Sequence, residues 1–254
     1  MTEPYSLSAY TALIAALAAG PRPLVEFDRA VTHGCLLRLD VDYDLDWAVA
    51  TAEVNRGLGV SATYFVLMSA ESYNPASTGG RTALARLAAL DQGIGLHFHH
   101  QGHGPLDLTR LEREFTWLSA LAPSTRPVVA WHNPEGDLER LNDAADRAGF
   151  INAYDPRWFG PECYRSDSNL RQSAEGLAAF AGTRDPALIQ ILLHPFNWLA
   201  GGATMDTILR RTLGRKVGVL ADAFDGNRVW RESTGPAIRR EMAAGIWDAG
   251  DAGE

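Results

Sequence analysis

The stretch LRLDVDYDLDWAVATAEVNRGLGVSATYFVLMS, residues 37–69, reads as strand, helix, strand and decides the fold. It begins inside CLLRLDV (35–41), an apolar run short enough for a buried strand. From Asp44 the apolar residues recur at helical spacing, and the pattern stops at Gly57 or Gly59, a common helix terminator. SATYFVLM (61–68) returns to a continuous run rich in aromatic and apolar residues. Two strands joined through a helix are expected to lie parallel.

The alternation continues to the C-terminal side. IGLHFH (94–99), PVVAWH (127–132), INAYD (151–155), CYRSD (163–167) and LIQILLH (188–194) read as strands. Between and after them lie helical patterns: GRTALARLAALDQG ending at Gly93, DLTRLEREFTWLSALAP between an Asp107 cap and Pro123, GDLERLNDAADRAGF, and TMDTILRRTLGRKVGVLADAF. About seven such repeats imply an α/β chain with a mostly parallel sheet that is closed or nearly closed into a barrel. An open, doubly wound sheet is the alternative. No linker or low-complexity segment divides the chain. One domain over 1–254 is expected, with a helical extension at 1–30 and a C-terminal helix and tail at 205–254.

Composition bounds the partners. The chain has 254 residues, 46% hydrophobic and 21% charged, which excludes disordered, fibrous and membrane classes. A net charge of -8 argues against nucleic acid or an anionic membrane as partner, since either calls for a basic patch. Cys35 and Cys163 are far apart and form neither a thiolate zinc pattern nor a disulfide framework. TALIAALAAG (11–20) follows a segment with Glu3 and no basic residue, so it reads as an amphipathic helix of a cytoplasmic protein rather than as a signal peptide.

In a barrel the chemistry sits where strands end, and here six strand ends carry acidic or imidazole groups. All histidines but His33 belong to this set, and four of the seven crowd into IGLHFHHQGH (94–103). Asp40 and Asp42 are two apart, so in extended backbone they share a face, and two carboxylates so close call for a cation or a proton between them. Helix capping accounts for Asp44 or Asp46 but not for that pair. His97 and His99 are likewise two apart, so two imidazoles and a carboxylate make a catalytic metal set with open positions. His100 and His103 fall in the following loop and are expected to be exposed.

The run 37–69, with IGLHFH and the later LLHP, resembles the polysaccharide deacetylase superfamily, whose catalytic part is the NodB homology domain. The likeness runs from about Tyr5 to about Trp198. It implies a distorted (β/α)7 barrel. It makes RLDVD the first motif, with Asp40 as general base and Asp42 as metal ligand. The second motif falls on the histidine cluster, where His97 and His99 follow strand geometry and His103 is the substitute. HNPEG resembles the third motif, with His132 where the family has an arginine that orients the base. Leu192 and His194 match the last motif, His194 as general acid, tuned by Asp167 or Asp155. His132 and Trp198 are expected to face the substrate, and Phe196 to wall the pocket beside it. Trp131, Trp158 and Tyr154 read equally well as core.

The resemblance implies a divalent cation, zinc first, with iron, cobalt or nickel as substitutes. It also implies hydrolysis of a C–N bond, removal of an acetyl group from an N-acetylated sugar or a small biosynthetic intermediate. The substrate would be a small molecule or carbohydrate. Two other readings stand beside it: a barrel that binds a sugar or partner without turnover, and an iron enzyme with two histidines and one carboxylate.

Overall fold

In the computed structural model, which describes residues 3–100, 106–134 and 137–243, parallel strands form one curled sheet. The strands are β1 (Leu24–Val25), β2 (Gly34–Val41), β3 (Thr63–Leu67), β4 (Gly93–Phe98), β5 (Thr125–Trp131), β6 (Ile151–Asn152), β7 (Tyr164–Ser166) and β8 (Leu188–Leu193). Their order is β6-β5-β4-β3-β2-β8-β7, and β1 pairs with the start of β2. All pairings are parallel. The sheet is the distorted (β/α)7 barrel expected, open between β6 and β7 among the described residues. Residues 153–163 span that gap, where Trp158 is buried and Gln190 of β8 donates to the Ala153 carbonyl at 3.1 Å.

The helices follow from the sequence pattern. α1 (Leu7–Ala18) buries Tyr10, Leu13, Ile14 and Leu17, so it is built into the core rather than appended. α2 (Leu45–Gly57), α3 (Thr78–Ala89), α4 (Leu108–Leu121) and α5 (Leu138–Arg147) each carry a side-chain N-cap, from Asp44, Ser77, Asp107 and Asp137 in turn. α6 (Ala174–Gly182) and the short α7 (Pro195–Ala200) connect into β8 and out of it. α8 (Met205–Ala223) and α9 (Gly235–Ala243) close the described chain. Among the described residues no helix is long and apolar enough to cross a membrane.

Register places the site. Side chains on one face of β2 alternate with those on the other, so Arg38 and Asp40 share the barrel interior with Phe65, the neighbour of Asp40 on β3. Phe65 fits because its neighbour on β4 is glycine: a Cβ at Gly95 would stand 2.9 Å from the Phe65 ring. One step further along the strands, Leu67, His97 and Ala130 are in register on β3, β4 and β5. His97 therefore sits at the C-terminal mouth beside Asp42, which directly follows β2.

Candidate functional site

Five strand ends converge on a cluster of carboxylates and imidazoles. Asp42 Oδ1 lies 3.3 Å from His97 Nε2 and 3.5 Å from His132 Nδ1, and the two imidazole nitrogens are 3.2 Å apart. Asp42, His97 and His132 form a trio whose donor atoms lie within 4.8 Å of one another. Asp42 Oδ1 is buried and has no hydrogen-bond partner. An orphaned carboxylate oxygen facing two imidazole nitrogens is what a divalent cation would satisfy, and one carboxylate with two imidazoles suits zinc or iron(II). Burial works to raise the Asp42 pKa, but the facing His132 and His97 hold it well below the usual carboxylate range.

The trio differs from the expected one. β4 ends at Phe98, so the alternation that would set His99 beside His97 stops one residue short. The His99 ring instead lies edge-on to His132, with centroids 5.1 Å apart. The place expected for His99 is filled by His132, from the end of β5, which was expected to touch substrate. His103, the substitute, lies outside the described residues. His100 is buried, against the expectation of an exposed loop position.

Asp40 stands on the inner side of this cluster, its Oδ2 3.5 Å from His97 Nε2. Arg38, two residues earlier on the same face of β2, grips it with Nε to Oδ1 at 2.8 Å and Nη2 to Oδ2 at 2.6 Å. Both side chains are buried, and Tyr154 accepts from the same guanidinium at 3.3 Å and stacks under it at 4.7 Å. Burial raises the Asp40 pKa, but the Arg38 guanidinium together with His97 and His194 outweighs it and lowers the group below the usual carboxylate range. A guanidinium thus holds Asp40, and it comes from Arg38 rather than from position 132, where an arginine was expected and histidine stands.

His194 follows β8 on the other side of Asp42, with Nε2 at 3.8 Å from Asp42 Oδ2. Its Nδ1 is 2.6 Å from Asp167 Oδ1, and its backbone N–H donates to Asp167 Oδ2 at 2.9 Å. Desolvation alone would lower the His194 pKa, but the buried Asp167 carboxylate, helped by Asp42 and Asp40, pushes it up to about 9. Asp155 plays no part here; it pairs with Arg157 at 2.8 Å. Trp198 also departs from expectation. α7 turns it inward, where it is fully buried against Tyr5 and Tyr10 and its indole N–H donates to Asp167 Oδ2 at 2.8 Å. It cannot touch a substrate and instead holds the carboxylate that holds His194.

A cavity of about 290 Å³ opens on the cluster, lined by Asp42, His132 and His194, by the aromatic pair Tyr43 and Phe196, and by polar Asn133, Ser168 and Asn169. The two aromatic rings meet edge to face at 4.8 Å. Sequence reasoning passed over Arg38, although an arginine two places before Asp40 in an apolar strand was signal enough that its charge needs a partner.

No family model matches the chain, and no curated protein matches it. Among solved structures it is similar to a CE4 family pseudoenzyme from Bacillus anthracis, at 14% identity over 80% of this chain and 66% of that one, with a TM-score of 0.48. It is similar to a CE4 esterase from Streptococcus mutans, at 14% identity over 87% of this chain and 89% of that one, with a TM-score of 0.48. A peptidoglycan deacetylase, Bd3279 of Bdellovibrio bacteriovorus, is matched at 17% identity over 78% of this chain and 54% of that one, with a TM-score of 0.45. The chain thus spans less than two thirds of the length of the pseudoenzyme and of Bd3279.

Proposed function

We propose that the chain is a metal-dependent hydrolase of the polysaccharide deacetylase superfamily that cleaves a C–N amide bond, with an N-acetylated sugar or a related small amide as substrate. The observation that carries this reading is the placement of Asp40 and His194 on either side of the Asp42, His97 and His132 trio. Hydrolysis needs a proton acceptor for water and a donor for the leaving nitrogen, and the two groups have pKa values driven in opposite directions.

Asp42, His97 and His132 would hold the cation. Bound there, it supplies Lewis acidity, polarising a carbonyl and lowering the pKa of a water toward about 7. Arg38 holds Asp40 ionised, so Asp40 would serve as the acceptor for a proton from the attacking water. As the new C–O bond forms at the carbonyl carbon, the water proton goes to an Asp40 oxygen. His194 then gives its Nε2 proton to the departing nitrogen as the C–N bond breaks, leaving a carboxylic acid and an amine. Asp167 keeps Nδ1 of His194 engaged, so the ring presents Nε2 to the cluster. The cavity is at the small end of ligand sites, and its aromatic pair suits a sugar face or an acyl group.

Metal content by mass spectrometry tests the first half. Near-stoichiometric zinc that is lost in Asp42→Ala and His132→Ala, with release of acetate from N-acetylated sugars that is lost in Asp40→Asn, is the expected result. Protein that takes up no zinc, cobalt or iron overturns the hydrolase. The ligand set favours one other reading, since one carboxylate and two imidazoles also hold iron in oxygenases. Oxygen consumption by protein loaded with iron under anaerobic conditions would select it.

A further inference from the structure

His97 and His132 turn different nitrogens toward the cluster. His97 presents Nε2 and keeps Nδ1 on the Ala130 carbonyl at 3.0 Å, whereas His132 presents Nδ1 and leaves Nε2 facing outward. That outward nitrogen is 3.2 Å from Nδ2 of Asn133. Asn133 has a φ of 43°, in the left-handed region that L side chains enter at a cost and asparagine tolerates better than most. The turn directly after β5 thus brings the carboxamide back onto the ring of its own neighbour. The rings of His97 and His99 lie edge-on to His132 at 4.9 and 5.1 Å and bound its tilt, but they do not decide which nitrogen carries the hydrogen.

We infer that Asn133 is a positioning residue whose carboxamide turns with the tautomer of His132, its oxygen accepting the Nε2 hydrogen when Nδ1 is bare, the form in which that nitrogen can ligate a cation. The inference rests on the cation reading above. A neutral imidazole has one N–H, so a ligating nitrogen leaves the hydrogen on the other, and that N–H needs an acceptor. For His97 the acceptor is a fixed backbone carbonyl. For His132 it is a carboxamide with a donor end and an acceptor end, exchanged by a half-turn of its last torsion. The amino end meets a bare Nε2 when His132 Nδ1–H donates to His97, 3.2 Å away. The oxygen end meets Nε2–H when Nδ1 is bare. Asn133 therefore serves the cluster in both forms, and an aspartate at this position would serve only the ligating one.

The test titrates metal-free protein with zinc against a chelating chromophore, using wild type, Asn133→Gly and Asn133→Asp. Glycine keeps the left-handed backbone and removes only the carboxamide, and aspartate keeps an acceptor oxygen. Asn133→Gly is expected to lose zinc affinity by about 10- to 100-fold, the usual effect of removing a group that orients a ligand. Its urea midpoint should stay at the wild-type value, and Asn133→Asp should bind at least as tightly as wild type. Two-bond proton–nitrogen spectra of His132 in the zinc-loaded wild type should show the hydrogen on Nε2. Wild-type affinity in Asn133→Gly overturns the inference while leaving the cation reading intact; no zinc uptake by wild type overturns both. If Asn133→Gly loses stability as well as affinity, Asn133→Asp decides: restored binding supports the inference, and failure to restore it overturns it.

Discussion

At the scale of single residues, the site depends on two charges that would be intolerable alone. Arg38 and Asp40 are both buried and are held together by two hydrogen bonds. Removing one member of such a pair strands the other, so Arg38→Met should cost about 3–5 kcal/mol in urea unfolding. Arg38→Met with Asp40→Leu together should recover most of that stability and none of the activity. His194 belongs to this scale too. Its folded pKa, raised to about 9 by Asp167, lies above the ordinary histidine value of 6.5. A raised pKa means that the pair stabilises the fold fully below about 6.5 and progressively less up to about 9. On the proposed function the protonated donor is lost over the same upper range, so the rate should fall as pH passes about 9. In Asp167→Asn the falling limb should move to lower pH, read from the pH profile of kcat/KM. An unmoved limb would remove Asp167 from that role.

At the scale of elements, α8 is tied to the start of α2 by one carboxylate. Asp44 caps α2 through the N–H groups of Asp46 and Trp47, and it also accepts from Arg215 at 2.8 Å and Lys216 at 2.7 Å. Lys216 is the only lysine in the chain, and it is spent on this contact. Because α8 lines the cavity through Met205 and Leu209, the tie also sets one wall of the site. Asp44→Ala loses both the cap and the ion pairs and should destabilise by about 2–4 kcal/mol, measured by urea midpoint. Burial raises the Asp44 pKa, but Arg215 and Lys216 outweigh it and lower it. A lowered pKa gives stability that is present above about pH 4 and lost in acid, so wild type should lose more stability than Asp44→Ala as pH falls below about 4.

At the scale of the molecule, the candidate cation site joins β2, β4 and β5, strands far apart in the chain. A cation that binds only the folded form stabilises all of it, by about 2.7 kcal/mol at a hundredfold excess over Kd. For a domain of this size that is a rise in Tm of roughly 5–10 °C. Zinc should produce it in wild type and not in His97→Ala or His132→Ala, read by calorimetry. Equal shifts in all three would mean that the ion binds elsewhere.

What the sequence determined by itself was everything carried by periodicity. Alternating short apolar runs and helical patterns gave the parallel strands nearly in place, because buried strands and capped helices leave local signatures. Spacing by two also marked Asp40 and Asp42, and position at strand ends marked His97 and His194. Short α6 and α7 were missed, since nine and six residues leave little periodic signal. The tertiary structure alone decided which residue stands with which. It exchanged His99 for His132 because β4 ends at Phe98 and β5 delivers its own histidine to the same mouth. It turned Trp198 away from the cavity and onto Asp167, thirty-one positions earlier in the chain. Those choices depend on register between strands, where each strand stops, and which way a short helix rolls. Such relations join residues tens of positions apart, and no local pattern encodes them.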